Sequence, residues 1–92
     1  MITYLVYRVS SCQSTEGHRE ISAGSVAIAA EIAHADHIAN ARHALEHARA
    51  CDSQDWVIAE KDNGLGALDG ARLYVTTRLE NGNPRTTHYT RL

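Results

Sequence analysis

The stretch ITYLVYRV, residues Ile2–Val9, decides the fold. Its two alternating sets, Ile2/Tyr4/Val6 and Leu5/Tyr7/Val9, are both built from aliphatic and aromatic side chains. A strand that is apolar on both faces belongs inside a sheet, partly covered on each side. Residues 10–17 are polar and turn-rich, and residues 18–21 can return as a shorter second strand, so a hairpin is expected. From residue 23 to 51 the chain is rich in Ala and free of Pro, with Ser22 or Ser25 available as an N-cap, which predicts one long helix or two joined near His34 and His37. At about 100° per residue, Ile38, Ala41, Leu45 and Ala48 share one stripe, whereas Ile28 and Ile32 lie more than a quarter-turn away. A bend or break near the middle is therefore expected.

Residues 56–60 (WVIAE), 71–79 and 85–92 read as three further strands, the last two joined by Asn81-Gly82-Asn83-Pro84, a strong turn signal. The expected fold is α+β in two layers, β-β-α-β-β-β. An antiparallel-dominated sheet of about five strands is covered on one face by a long or bent Ala-rich helix.

Length and composition set the scale. A chain of 92 residues supports one domain, 1–92, because so short a chain buries only about two-thirds of its unfolded surface. Hydrophobic residues make up 43% and charged residues 22%, enough apolar material for a packed core. With one Trp, four Tyr and no Phe, that core must be Ile, Leu, Val and closely packed Ala. The formal charge of −2 opposes attraction of the whole molecule to nucleic acid or anionic lipid. Cys12 and Cys51 form neither a disulfide framework nor a metal knuckle, and no signal peptide or membrane-length apolar run is present, so a soluble cytoplasmic protein is expected.

Four histidines, His34, His37, His43 and His47, fall on the expected helix. His43 and His47 stand i, i+4, the spacing at which both imidazoles can face one metal ion. Two ligands are half of a closed site, and His34 and His37 lie elsewhere on the wheel. The simpler reading places His43 and His47 on a solvated face with Arg42, Glu46 and Arg49, and makes His34 a core histidine. No cofactor is expected. Gly64-Leu65-Gly66 follows a strand but precedes another strand, so no helix N-terminus is there to take a phosphate. Neither Cys12 nor Cys51 sits where a thiolate would be activated, and Cys51 faces the wrong end of the helix dipole. A non-enzymatic protein is expected.

The C-terminal part is locally basic, with Arg72, Arg78, Arg85 and Arg91 against Glu80 alone. A turn centred on Gly82-Asn83 pairs Glu80 with Arg85, Arg78 with Thr87, Thr76 with Tyr89 and Tyr74 with Arg91. That register puts Arg72, Tyr74, Arg78, Arg85, Tyr89 and Arg91 on one face, and Leu73, Val75, Leu79 and Leu92 toward the core. Guanidinium and aromatic groups together suit a protein interface or a nucleic-acid backbone. The low net charge favours a larger protein or protein complex over direct nucleic-acid binding, with a homodimer also compatible.

The order of an N-terminal strand (ITYLVYRV), a polar hairpin, a strand running into an Ala-rich helix (REISAGSVAIAAEIA) and a terminal Asn/Gly hairpin resembles small phage or mobile-element proteins, anti-CRISPR inhibitors among them, over the whole chain in outline. The resemblance implies an inhibitor in the host-cell cytoplasm that occupies a surface on a larger nucleic-acid-handling complex. Such inhibitors often carry acidic patches, whereas the patch in this chain is basic. The alternatives are a metal-binding protein using His43 and His47, or a small nucleic-acid-binding protein using the C-terminal hairpin. Metal analysis of the purified, untagged protein separates the first alternative. Less than about a tenth of an equivalent of zinc, nickel or copper is expected, because closed sites bind tightly enough to survive purification.

Overall fold

The computed structural model describes residues 1–9, 15–41, 53–61 and 72–91, and everything structural below concerns these residues. The chain forms strands β1 (Ile2–Val9) and β2 (Thr15–Ala23), helix α1 (Val26–Ala41), and strands β3 (Ser53–Glu60), β4 (Arg72–Glu80) and β5 (Asn83–Arg91). The strands make one antiparallel sheet in the order β2-β1-β3-β4-β5. The α+β architecture matches the sequence reading, and β1 is an interior strand with Tyr4, Leu5 and Val6 buried in succession. Among the described residues no helix is long and apolar enough to cross a membrane.

Helix α1 begins where Ser25 Oγ accepts the N–H of Ile28 at 3.2 Å, which identifies Ser25 as the N-cap. Ser22, the other candidate, instead shares a 3.1 Å hydrogen bond with Thr3 across the β1–β2 pair. The helix runs through His34 and His37 without a break, the one-helix form of the two that the sequence allows. The face change that motivated a break does not arise, because the buried side is Ala29, Ala30, Ala33 and His34, while Ile28 and Ile32 point outward. The expected continuation through residues 42–51, with His43 and His47, lies outside the described residues, as do Cys12, Cys51, Gly64, Leu65 and Gly66.

Three fully buried alanines are the reason α1 can lie close to the sheet and contact all five strands. The core beneath it is Tyr4, Val6, Ile21, Ala23, Trp56, Ile58 and Val75. Trp56 is the large filler, with His34 and His37 packed at ring-centroid distances of 6.3 and 6.4 Å. Its Nε1–H donates to Thr77 Oγ1 at 2.8 Å, and the Thr77 hydroxyl in turn bonds the Gln54 carbonyl at 3.3 Å. Gln54 donates to Val9 O at 2.8 Å, so the buried polar groups in this seam tie β1, β3 and β4 together. At the edges, Arg19 of β2 pairs with Asp36 of α1 at 2.7 Å, and Thr86 of β5 donates its N–H to Glu31 and its hydroxyl to Ala27 O, both at 3.0 Å.

The β4–β5 hairpin differs from the expected register. Asn81 and Gly82 form the turn, with φ of 54° and 81°, the backbone of a two-residue type I′ hairpin. The turn is thus centred one residue earlier than expected. Glu80 pairs with Asn83, Arg78 with Arg85, Thr76 with His88, Val75 with Tyr89 and Leu73 with Arg91, with an irregularity that leaves Thr87 as the extra residue.

Replacing Ala30 by Leu is expected to destabilise the fold by about 1–3 kcal/mol, since overpacking here pushes α1 off the sheet. Ile28→Ala on the outer face of α1 is expected to change stability by about 0.5 kcal/mol or less. Urea denaturation of the two variants checks the difference.

Candidate functional site

Because directly paired residues of neighbouring strands share a face, the registers assign each side chain to the α1 side or to the opposite side. One row on the opposite side runs His18, Tyr7, Val57, Tyr74, Thr90 across all five strands. Beside it runs Val9, Asp55, Thr76, His88, and beyond that Ser53, Arg78, Arg85. On the other flank lies Glu20, Leu5, Ala59, Arg72.

The two ends of this face differ. At the Arg72 end, Leu5 and Ala59 are buried, and Glu20 and Lys61 form an ion pair at 2.6 Å that holds the Glu20 carboxyl below its ordinary value. At the other end Arg78, Arg85 and His88 are exposed, and Tyr74, Thr76 and Asp55 are half-buried between them. Arg72 stands six residues from Arg78 along β4, about 20 Å at strand rise, so it is no part of the same cluster.

Asp55 organises the middle of the exposed end. Tyr74 donates its hydroxyl to Asp55 Oδ2 at 2.9 Å and Thr76 donates to Oδ1 at 2.7 Å. The Tyr74 phenol is raised above its ordinary value, first by this hydrogen bond, then by burial and by the charge of Asp55. Around this centre, the Tyr7 and His18 rings lie 5.5 Å apart, and His88 Nε2 and Thr90 Oγ1 are 2.9 Å apart. The arrangement is a pre-ordered, hydrogen-bonded surface of tyrosine, threonine and histidine with two arginines at its border.

The structure therefore keeps Tyr74, Arg78 and Arg85 together and places Arg72 on the same face at a distance. Tyr89 and Arg91 are corrected to the α1 side, because the earlier turn and the Thr87 irregularity pair them with Val75 and Leu73. Tyr89 remains 61% exposed there, at the sheet edge. Asp55, His88, Ser53, Tyr7 and His18 join the face without having been singled out. Their alternation within each strand is visible in sequence, but the long-range register that gathers them is not.

No family model, curated protein or solved structure matches the chain. Function has to be read from the geometry of this face. Among the described residues no group of three or more His, Cys, Asp or Glu side chains is placed to hold a metal ion.

The Tyr74 phenol supplies a pH test. A raised value means the folded state favours the neutral phenol, so the resulting stabilisation is complete below the ordinary 10.0 and is lost as pH rises through the folded value. Absorbance titration of tyrosinate is expected to show Tyr74 ionising above the ordinary range in the wild type and falling back in Asp55→Asn. Tyr4, raised chiefly by burial in the core, should not move between the two. Identical titrations would contradict the assigned hydrogen bond.

Proposed function

We propose that the chain is a non-enzymatic interaction module that docks onto a larger protein through the sheet face opposite α1. The carrying observation is the exposed end of that face, where Tyr74, Thr76, Arg78, Arg85 and His88 are presented from an antiparallel sheet with Asp55 fixing the central hydroxyls. Tyr and Arg dominate protein-interface hot spots because they offer large contact area with directional donors. A sheet held on its other side by a closely packed helix presents them with little further ordering cost. The partner is a protein with an acidic surface, since the charges added at this border are guanidinium groups. The resemblance noted above extends the reading to an inhibitor that occupies a site on a nucleic-acid-handling complex.

Direct nucleic-acid binding is the second reading, favoured by the aromatic row of Tyr7 and Tyr74 on an open sheet, on which bases could stack. Affinity that falls steeply with salt would mark it.

Immobilised wild-type protein is expected to retain one stoichiometric protein partner from a bacterial lysate. Tyr74→Ala and Arg78→Ala should each weaken retention by about thirtyfold or more, as hot-spot truncations do. Ile28→Ala on the outer face of α1 should retain it fully. Absence of a partner, or equal retention by all variants, would remove the proposal.

A further inference from the structure

Arg78 and Arg85 face each other directly across β4 and β5. Both are exposed, and among the described residues neither guanidinium takes part in a side-chain hydrogen bond or ion pair. Like charges directly opposite on one sheet face disfavour a strand pair, so the free protein carries a like-charge opposition at this point. Two other cations of the sheet side are matched: Arg19 by Asp36 and Lys61 by Glu20, each within 2.7 Å. Glu80 lies two residues along the same face, opposite Asn83, and it too leaves the arginines unmatched.

We propose that Arg78 and Arg85 form a clamp for a carboxylate of an acidic polypeptide, an inference that rests on the docking face above. Two guanidinium groups facing each other at cross-strand distance can both donate N–H to one carboxylate through charge-assisted hydrogen bonds. The Ser53 hydroxyl, next in the row across β3, adds a donor at the same level. The rigid Asn81-Gly82 turn, three residues from each arginine, fixes their relative height. A nucleic-acid phosphate has the same donor requirement but comes in a continuous track, and this face interrupts any such track. Asp55 lies beside Tyr74 and Thr76, and Glu80 lies just beyond Arg78. A discrete acidic side chain fits a discrete two-arginine site.

The site is a repulsive pair that only a ligand relieves, so stability and affinity should move in opposite directions on substitution. Arg85→Glu creates an opposite-charge cross-strand pair with Arg78, and Arg85→Gln removes the repulsion without creating one. Both variants are expected to melt at a higher temperature than the wild type and to lose the wild type's gain in melting temperature with added salt. Hexaglutamate titrated into labelled wild-type protein should shift the Nε–Hε signals of Arg78 and Arg85 saturably. The half-saturation concentration should rise about tenfold or more in Arg85→Gln and further in Arg85→Glu. Arg19→Gln, on the α1 face, should leave it unchanged. Oligothymidylate is the competing probe. Tighter binding of oligothymidylate than of hexaglutamate, absence of a saturable shift, or a lower melting temperature in both variants would overturn the clamp. Failure of the clamp is distinguishable from failure of the docking face: lysate retention lost in Tyr74→Ala but kept in Arg85→Glu removes only the clamp.

Discussion

The Asn81-Gly82 turn is the constraint on which the presented surface depends. A two-residue connection with both residues at positive φ twists as the strands do, so it holds the β4–β5 pair in one register. Side chains alternate with period two, and a one-residue slip would exchange the two faces of β5. With the turn at 81–82, Arg85 stands opposite Arg78 on the side away from α1, and the irregularity at Thr87 then brings His88 opposite Thr76 on that same side. The same irregularity reverses the alternation, which sends Tyr89 and Arg91 to the other side. Two local backbone features thus decide which basic groups act together.

Helix α1 makes that surface usable by filling the other side without bulk. Ala29, Ala30 and Ala33 bring the helix axis close to the sheet, and Trp56 occupies the space that Ile or Phe side chains would otherwise need. The same proximity lets Glu31 and the Ala27 carbonyl bond Thr86 on one edge strand while Asp36 bonds Arg19 on the other. An irregular β5 with Pro84 near its start and a helix carboxylate on Thr86 N–H is poorly suited to accept another strand. The docking proposed above therefore uses the face and not this edge.

Most of the architecture was legible because it is local. The two-sided apolar pattern of ITYLVYRV, the Ala-rich capped helix and the Asn-Gly signal each encode their own element, and they agree with one another. Of the two helix readings the sequence allows, the unbroken one holds through Ala41, because alanines supply the buried face and Ile28 and Ile32 are left partly in water. Tyr89 and Arg91, two of the six residues expected on the hairpin's basic face, lie on the other side because no periodicity reveals the Thr87 irregularity, while the earlier turn alone changes partners and not faces. Asp55 escaped notice for another reason: its partners Tyr74 and Thr76 are about twenty residues away, and only the β3–β4 register brings them together.

The Arg78–Arg85 opposition is a place in the described sheet where local chemistry and fold disagree. Neighbouring choices support the structure: Trp56, Thr77 and Gln54 are hydrogen-bonded to one another or to the backbone, Arg19 is matched by Asp36, and the turn residues suit their backbone angles. A sequence free to vary at an exposed position could place Glu opposite Arg at little cost, as β2 and Lys61 already do with Glu20. Local conflict in an otherwise consistent structure is the physical mark of a site shaped for something outside the molecule. The net charge of −2 sharpens the point, because a surplus of acidic groups was available to neutralise this pair and none does so among the described residues. The two-residue turn and the closely packed helix hold the two arginines opposite each other, and the proposed clamp reads that opposition as a pre-formed place for negative charge.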